Sequence, residues 1–210
     1  GAGPKCHRRV AIPLIVEELL AAGTPIENIT LMCAIGLHRK NTLEEWYWYL
    51  GAEIVDRFWP DRLVNYDAEA PDLCDFGTDA MGNRIQCSRL MAEADLPIVV
   101  GHVTGNPYGG YSGGYKMIVT GMSGWQSIAS HHTPSTMHRH DWMGSGTTSH
   151  MRKQFESIGR AMEAGIGKRF FGVDAVTKVI ELRRQHPHPF VVRRAVGQGG
   201  HAVGEAIAHV

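Results

Sequence analysis

Little in this chain points to a charged partner, a membrane or an oxidising compartment. Lysine and arginine number 21, as do aspartate and glutamate, so no charge excess marks a surface for nucleic acid or anionic lipid. No apolar run approaches the roughly 20 residues that a membrane-spanning helix needs. The opening GAGPKCHRRVAIPL lacks the architecture of a signal peptide. Cysteine is scarce: Cys6, Cys33, Cys74 and Cys87 are the four, and none is spaced as CxxC. That spacing suggests no zinc site, and Cys33, inside ITLMCAIG, reads as a small buried hydrophobe. A reducing, cytoplasmic setting is the expectation. Internal repeats are absent too. With 43% apolar and 20% charged residues, the 210-residue chain is long enough for one large domain with a sizeable core, and disorder is not expected.

What is present is clustered. Residues 11–22, AIPLIVEELLAA, are apolar at helical spacing and stop at Gly23, which predicts a helix with a glycine C-cap. The apolar runs ITLMCAIG at 29–36, LPIVVGHV at 96–103 and FFGVDAV at 170–176 predict buried strands. Thr42 and Glu45 form a capping-box pattern that opens a helix running to Leu50. GWQSIASH at 124–131 and SHMRKQFESIGRAMEA at 149–164 predict two more helices. Helices alternating with such strands predict an α/β fold. The sheet should be mostly parallel and flanked by helices, with the site at the carboxyl ends of the strands. Residues 1–176 are expected to form this domain, and 177–210, with HPHP and GQGG, a linker or partial second domain.

Three stretches carry chemistry. GLHR at 36–39 follows one predicted strand, and GNPYGGYSGGYK at 105–116 follows another. If the strands are parallel, His38 and Lys116 emerge at one edge. The glycine run is not a Walker motif, because Tyr115 and Met117 flank the lysine. A lysine after such a run still reads equally well as a phosphate binder. The third stretch, SHHTPSTMHRH at 130–140, holds His131, His132, His138 and His140. Imidazoles suit nickel, zinc, copper or iron, yet this spacing alone is also that of a polar surface loop. A zinc hydrolase is disfavoured, since no carboxylate stands at ligand spacing.

In order along the chain, GLHR, TLEE and LG, MAEADLPIVVG, GGYSGGYK and TG…SIASHH together resemble the nickel-pincer lactate racemase family, over about residues 14–175. The resemblance implies an isomerase, a racemase or epimerase of 2-hydroxy acids. Its cofactors would be nickel and pyridinium-3-thioamide-5-thiocarboxylic acid mononucleotide, made by cofactor-synthesis proteins. It implies His38 as catalytic acid/base, Lys116 as the covalent tether and His132 as the nickel ligand, with Ser112, Gly113 and Gly114 also binding the cofactor. A substrate carboxylate would fall to Arg8 or Arg9, or to Arg39. The expected partner is a small hydroxy acid; no nucleic acid or membrane partner is expected.

The chain departs from that pattern at one point. Where the family has a second catalytic histidine, this sequence has Gly105-Asn106. Asparagine is no general base near neutral pH. His102, upstream, is a substitute to weigh. The alternative reading is therefore a homologue that binds a hydroxy acid or metal without turning over lactate.

Overall fold

The computed structural model describes residues 7–137, 145 and 147–176. Helix α1 (His7–Ala21) ends where the sequence puts its stop. Gly23, at φ +86°, donates its N–H to the Leu20 carbonyl, and the Thr24 N–H reaches that of Leu19. A turn of 3-10 helix (Ile26–Asn28) leads into strand β1 (Leu31–Cys33). Helix α2 (Leu43–Leu50) opens on the expected capping box: the Thr42 hydroxyl accepts from the Glu45 N–H, and the Glu45 carboxylate accepts from the Thr42 N–H. Helix α3 (Ala52–Phe58) and strand β2 (Leu63–Asn65) follow, and β2 runs parallel to β1 with Leu31 opposite Leu63. These elements close over a first core around Val16, Trp46, Ile54, Phe58 and Leu63.

Strands β3 (Cys74–Thr78) and β4 (Arg84–Cys87) form an antiparallel hairpin. The Asp79 carboxylate organises its turn, accepting from the Met81 and Asn83 N–H groups, the Asn83 amide and the Ser157 hydroxyl. Helix α4 (Arg89–Glu93) precedes strand β5 (Ile98–Val103). Next come a minimal hairpin, β6 (Gly105–Asn106) with β7 (Gly110–Tyr111), and helices α5 (Tyr115–Gly121), α6 (Trp125–His131) and α7 (Pro134–Met137). Helix α8 (His150–Ile166) leads back to strand β8 (Phe171–Val176), which lies parallel to β5 with Gly101 opposite Asp174. A second core gathers Ile85, Ile118, Phe155, Ile158 and Met162 from β4, α5 and α8.

The α/β class holds, with parallel strands flanked by helices. Among the described residues, however, β1–β2 and β5–β8 are separate two-stranded pairs rather than one ladder. β1 and β2 are only three residues each. The two parts are joined by an apolar cluster, in which Tyr66 and Ala68 pack with Ile128 and Met122, and by backbone bonds: the Gly36 N–H donates to the Gly121 carbonyl and the Trp125 N–H to that of Ala68, each at 3.0 Å. No helix among the described residues is long and apolar enough to cross a membrane. Residues 177–210 lie outside the described residues.

Candidate functional site

His38 stands on an exposed turn that is fixed at both ends. Its N–H donates to the Ile35 carbonyl at 2.9 Å, while Gly36 binds Gly121 at the end of α5. On the other side the Asn41 N–H donates to Asn65 Oδ1 at 2.9 Å, and Lys40 pairs with Asp67 at 2.9 Å. Gly36 is indispensable there. Its φ is +56°, and a Cβ would lie 2.2 Å from the Thr120 carbonyl oxygen. The turn carrying His38 therefore rests directly on the helix carrying Lys116.

The glycine run resolves into the β6–β7 hairpin and the entry to α5. Gly109, Gly110, Gly113 and Gly114 all have positive φ, and a Cβ at Gly109 would meet the Phe155 ring at 2.6 Å. The glycines are thus required by the protein's own packing, before any ligand is considered. The loop's polar groups are also turned inward. Ser112 is buried; its hydroxyl donates to the His102 carbonyl at 2.7 Å and accepts from the Thr104 N–H at 3.1 Å. The Gly114 N–H donates to Asp174 Oδ2 at 3.0 Å. The Gly114 amide is thus withdrawn from any role in cradling a phosphate.

Lys116 lies in the first turn of α5, not in a loop as its neighbours in sequence suggested. It is half-buried, and its Nζ sits 5.8 Å from the centre of the Phe155 ring. Burial, and then the Arg152 charge, push its pKa down. An amine held toward its neutral form is the nucleophilic form.

His132 caps the end of α6, and the motif's two adjacent histidines do meet. Their Nδ1 atoms are 2.9 Å apart, and His132 Nδ1 is also 3.2 Å from the Ile128 carbonyl. A carbonyl only accepts, so the proton belongs on His132 Nδ1, and its Nε2 keeps the lone pair that a metal needs. His131 is fully buried against Phe155, at 5.2 Å between rings. Burial and the neighbouring His132 push its pKa down to about 3. The His132 pKa is lowered by burial and by Lys116. Among the described residues no group of three or more His, Cys, Asp or Glu side chains is arranged to hold a metal. A single imidazole beside a neutral-leaning amine suits an ion whose other ligands arrive with a cofactor.

Asn106 sits in β6, and its Oδ1 accepts from the Tyr108 N–H at 2.8 Å, closing the hairpin turn. The Tyr108 ring in turn lies 6.4 Å from that of His132. The three arginines separate. Arg8 stacks on Tyr49 at 5.3 Å, and its charge bears on Cys33 and His102, near the carboxyl ends of β1 and β5. Arg9 instead packs over Gly51, and Arg39 is bound through both terminal nitrogens to Glu45. His102 is lowered in pKa by burial and Arg8, with Asp174 opposing. His138 and His140 lie outside the described residues.

Sequence reasoning missed Arg152, Phe155 and Asp174. Arg152 and Phe155 read as ordinary positions of an amphipathic helix. Asp174 left a usable signal, a carboxylate inside an otherwise apolar strand.

The lactate racemase N-terminal domain model matches residues 4–144. The chain is 28% identical over 125 residues to a lactate racemase of Thermoanaerobacterium thermosaccharolyticum, covering 59% of this chain and 28% of that protein. It is 25% identical over 124 residues to a lactate racemase of Lactiplantibacillus plantarum, with the same coverage of 59% and 28%. The structure of the lactate racemase apoprotein from T. thermosaccharolyticum superposes with TM-score 0.72 at 21% identity, over 83% of this chain and 40% of that one. A Thermotoga maritima protein superposes at 0.66 and 20%, over 85% and 45%. The chain thus spans less than a third of the length of these curated relatives. With the matched segment holding GLHR, the glycine run and both adjacent histidines, the chain belongs to the lactate racemase N-terminal domain family.

Proposed function

We propose that this chain supplies the cofactor-holding side of a racemase or epimerase site for a small 2-hydroxy acid. One observation carries the reading: a half-buried amine with a lowered pKa, Lys116, bears on an imidazole, His132, whose Nδ1 is occupied and whose Nε2 is left to a metal. Lys116 would hold the nickel-pincer nucleotide covalently, and His132 would ligate nickel. When bound, that group supplies reversible hydride acceptance at the carbon bearing the hydroxyl. His38, exposed on its pinned turn, takes and returns the hydroxyl proton. Arg8 is better placed than Arg9 or Arg39 to hold a carboxylate, because the other two are engaged with Gly51 and Glu45. Ser112, Gly113 and Gly114 act by shaping the loop.

The test is intact mass and nickel content of protein produced together with the cofactor-synthesis proteins. Wild type should carry an adduct on Lys116 and about one nickel per adduct; Lys116→Arg, which keeps the charge without an acylatable amine, should carry neither. An adduct that persists in Lys116→Arg sinks the assignment.

A second reading, a homologue that binds without racemising lactate, is favoured by Asn106. Its Oδ1 already accepts from the Tyr108 N–H in the hairpin turn, and the amide can hold a substrate by hydrogen bonds but cannot take its proton.

A further inference from the structure

Helix α8 and strand β8 both reach the glycine loop, from different directions and with opposite charges. The Arg152 guanidinium donates to three successive carbonyls: Nη2 to Tyr111 at 2.8 Å and to Ser112 at 3.5 Å, and Nη1 to Gly113 at 3.3 Å. Asp174 takes the next group along, the Gly114 N–H, at 3.0 Å. Three consecutive peptide units, 111–112 to 113–114, are thus bonded to one of two charged side chains, the last of them to both, and α5 begins at Tyr115, one residue before Lys116.

The surroundings are shaped to permit this. Gly101 lies opposite Asp174 across the β5–β8 ladder, and a Cβ there would come within 2.4 Å of Asp174 Oδ1. Only a glycine leaves the carboxylate room to lie over β5 and reach the helix. Arg152 is itself partly withdrawn from water, with burial lowering its pKa against the pull of Glu156 and Asp174. A guanidinium so placed is costly unless its donors are used, and the loop carbonyls use them. One turn further on, the same helix offers Phe155 to the Lys116 amine.

We propose that Arg152 and Asp174 are positioning residues that clamp residues 111–114 from both sides and so set where the Lys116 amine points. The functional weight of the clamp rests on Lys116 being the tether proposed above; the clamp itself does not. A guanidinium is needed for the carbonyl side, because a lysine ammonium is a point charge without the planar fork. The positive charge acts separately. Lys116 is faced by Arg152 on α8 and by His131 and His132 at the end of α6, and Arg152 is the charge that lowers its pKa.

The experiment compares the full chain with Arg152→Gln, Arg152→Lys and Asp174→Ala. It measures amide hydrogen exchange at Ser112 and Gly114, and the pH titration of the Lys116 ε-carbon by NMR. All three variants should exchange these amides faster: Gly114 by about tenfold to a hundredfold in Asp174→Ala, where its N–H loses a charge-assisted hydrogen bond, and Ser112, whose N–H donates to the Thr104 carbonyl, through loosening of the loop. The Lys116 midpoint should rise in Arg152→Gln, where the opposing charge is gone, and return toward wild type in Arg152→Lys. A loosened loop alone would not produce that rescue. Wild-type exchange at both amides in Arg152→Gln and Asp174→Ala overturns the proposal, as does an unmoved Lys116 midpoint in Arg152→Gln. Protected Ile158 amides show that a variant has folded. If Arg152→Gln does not fold, Arg152→Lys and Asp174→Ala decide, and wild-type exchange in both overturns the clamp. An adduct missing from cofactor-loaded wild type would sink the tether and leave the clamp standing.

Discussion

Asn106 does two jobs that pull against each other. As an acid/base it is inert, and a positioned base contributes about a hundredfold to ten-thousandfold. As a turn residue it is well chosen, since its Oδ1 binds the Tyr108 N–H. Lactate racemisation by cofactor-loaded wild type should therefore fall short of Asn106→His by about that factor. Asn106→Ala should lose the turn bond and about 1 kcal/mol of stability in urea unfolding, whereas Asn106→Asp, which still accepts, should not. Wild-type racemisation equal to that of Asn106→His would mean that the second base lies elsewhere, with His102 the first residue to replace. Asn106→Ala as stable as wild type would remove the turn argument.

Elements were legible in the sequence wherever their signals are local. The Thr42–Glu45 box, the glycine stop at Gly23 and the amphipathic run of α8 all depend on residues within a few positions of one another, and each formed as expected. Helix α5 was not legible. YKMIVTG carries Ile, Val and Thr, which favour strands, and its start is fixed by Asp174, 60 positions away. The β3–β4 hairpin was missed although the Asp79 carboxylate organises its turn locally; only the bond from Ser157, 78 positions away, is remote. His38, Lys116 and His132 could be picked out by motif; the charged residues around them came from elements whose approach no local pattern encodes. Packing between α5 and α8 gives a prediction that runs against propensity. Alanine in place of a mid-helix glycine normally stabilises by about 1 kcal/mol. At Gly159 the new Cβ would lie 2.2 Å from the Tyr115 ring. Overpacking of that kind costs about 1–3 kcal/mol, so Gly159→Ala should lower the urea midpoint. A raised midpoint would show that Tyr115 can move aside.

At the scale of the molecule, two cores meet along a third, smaller cluster around Tyr66, Ala68 and Ile128, beside which the turn at Gly36 abuts the end of α5. His38 belongs to the first and Lys116, His132 and Arg152 to the second. Gly36→Ala should loosen this junction in two ways: a left-handed residue gains a side chain, and its Cβ strikes the Thr120 carbonyl. We expect a loss of about 2–4 kcal/mol, read by urea unfolding. The Gly36 and His38 amides should lose exchange protection before those of Ile54 or Ile158. Uniform loss at all four would mean that the junction does not open by itself.

The hydrogen bond from Gly36 to Gly121 is one rivet between two plates, set beside the apolar seam of Tyr66, Ala68 and Ile128. A small molecule that engages His38 on one plate and Lys116 on the other would serve as a further fastener. Because it binds only when the plates are aligned, its affinity would be returned to the protein as cohesion, growing with the logarithm of its concentration. Occupancy of the site would then be readable without any turnover, as the concentration at which the two plates begin to come apart together.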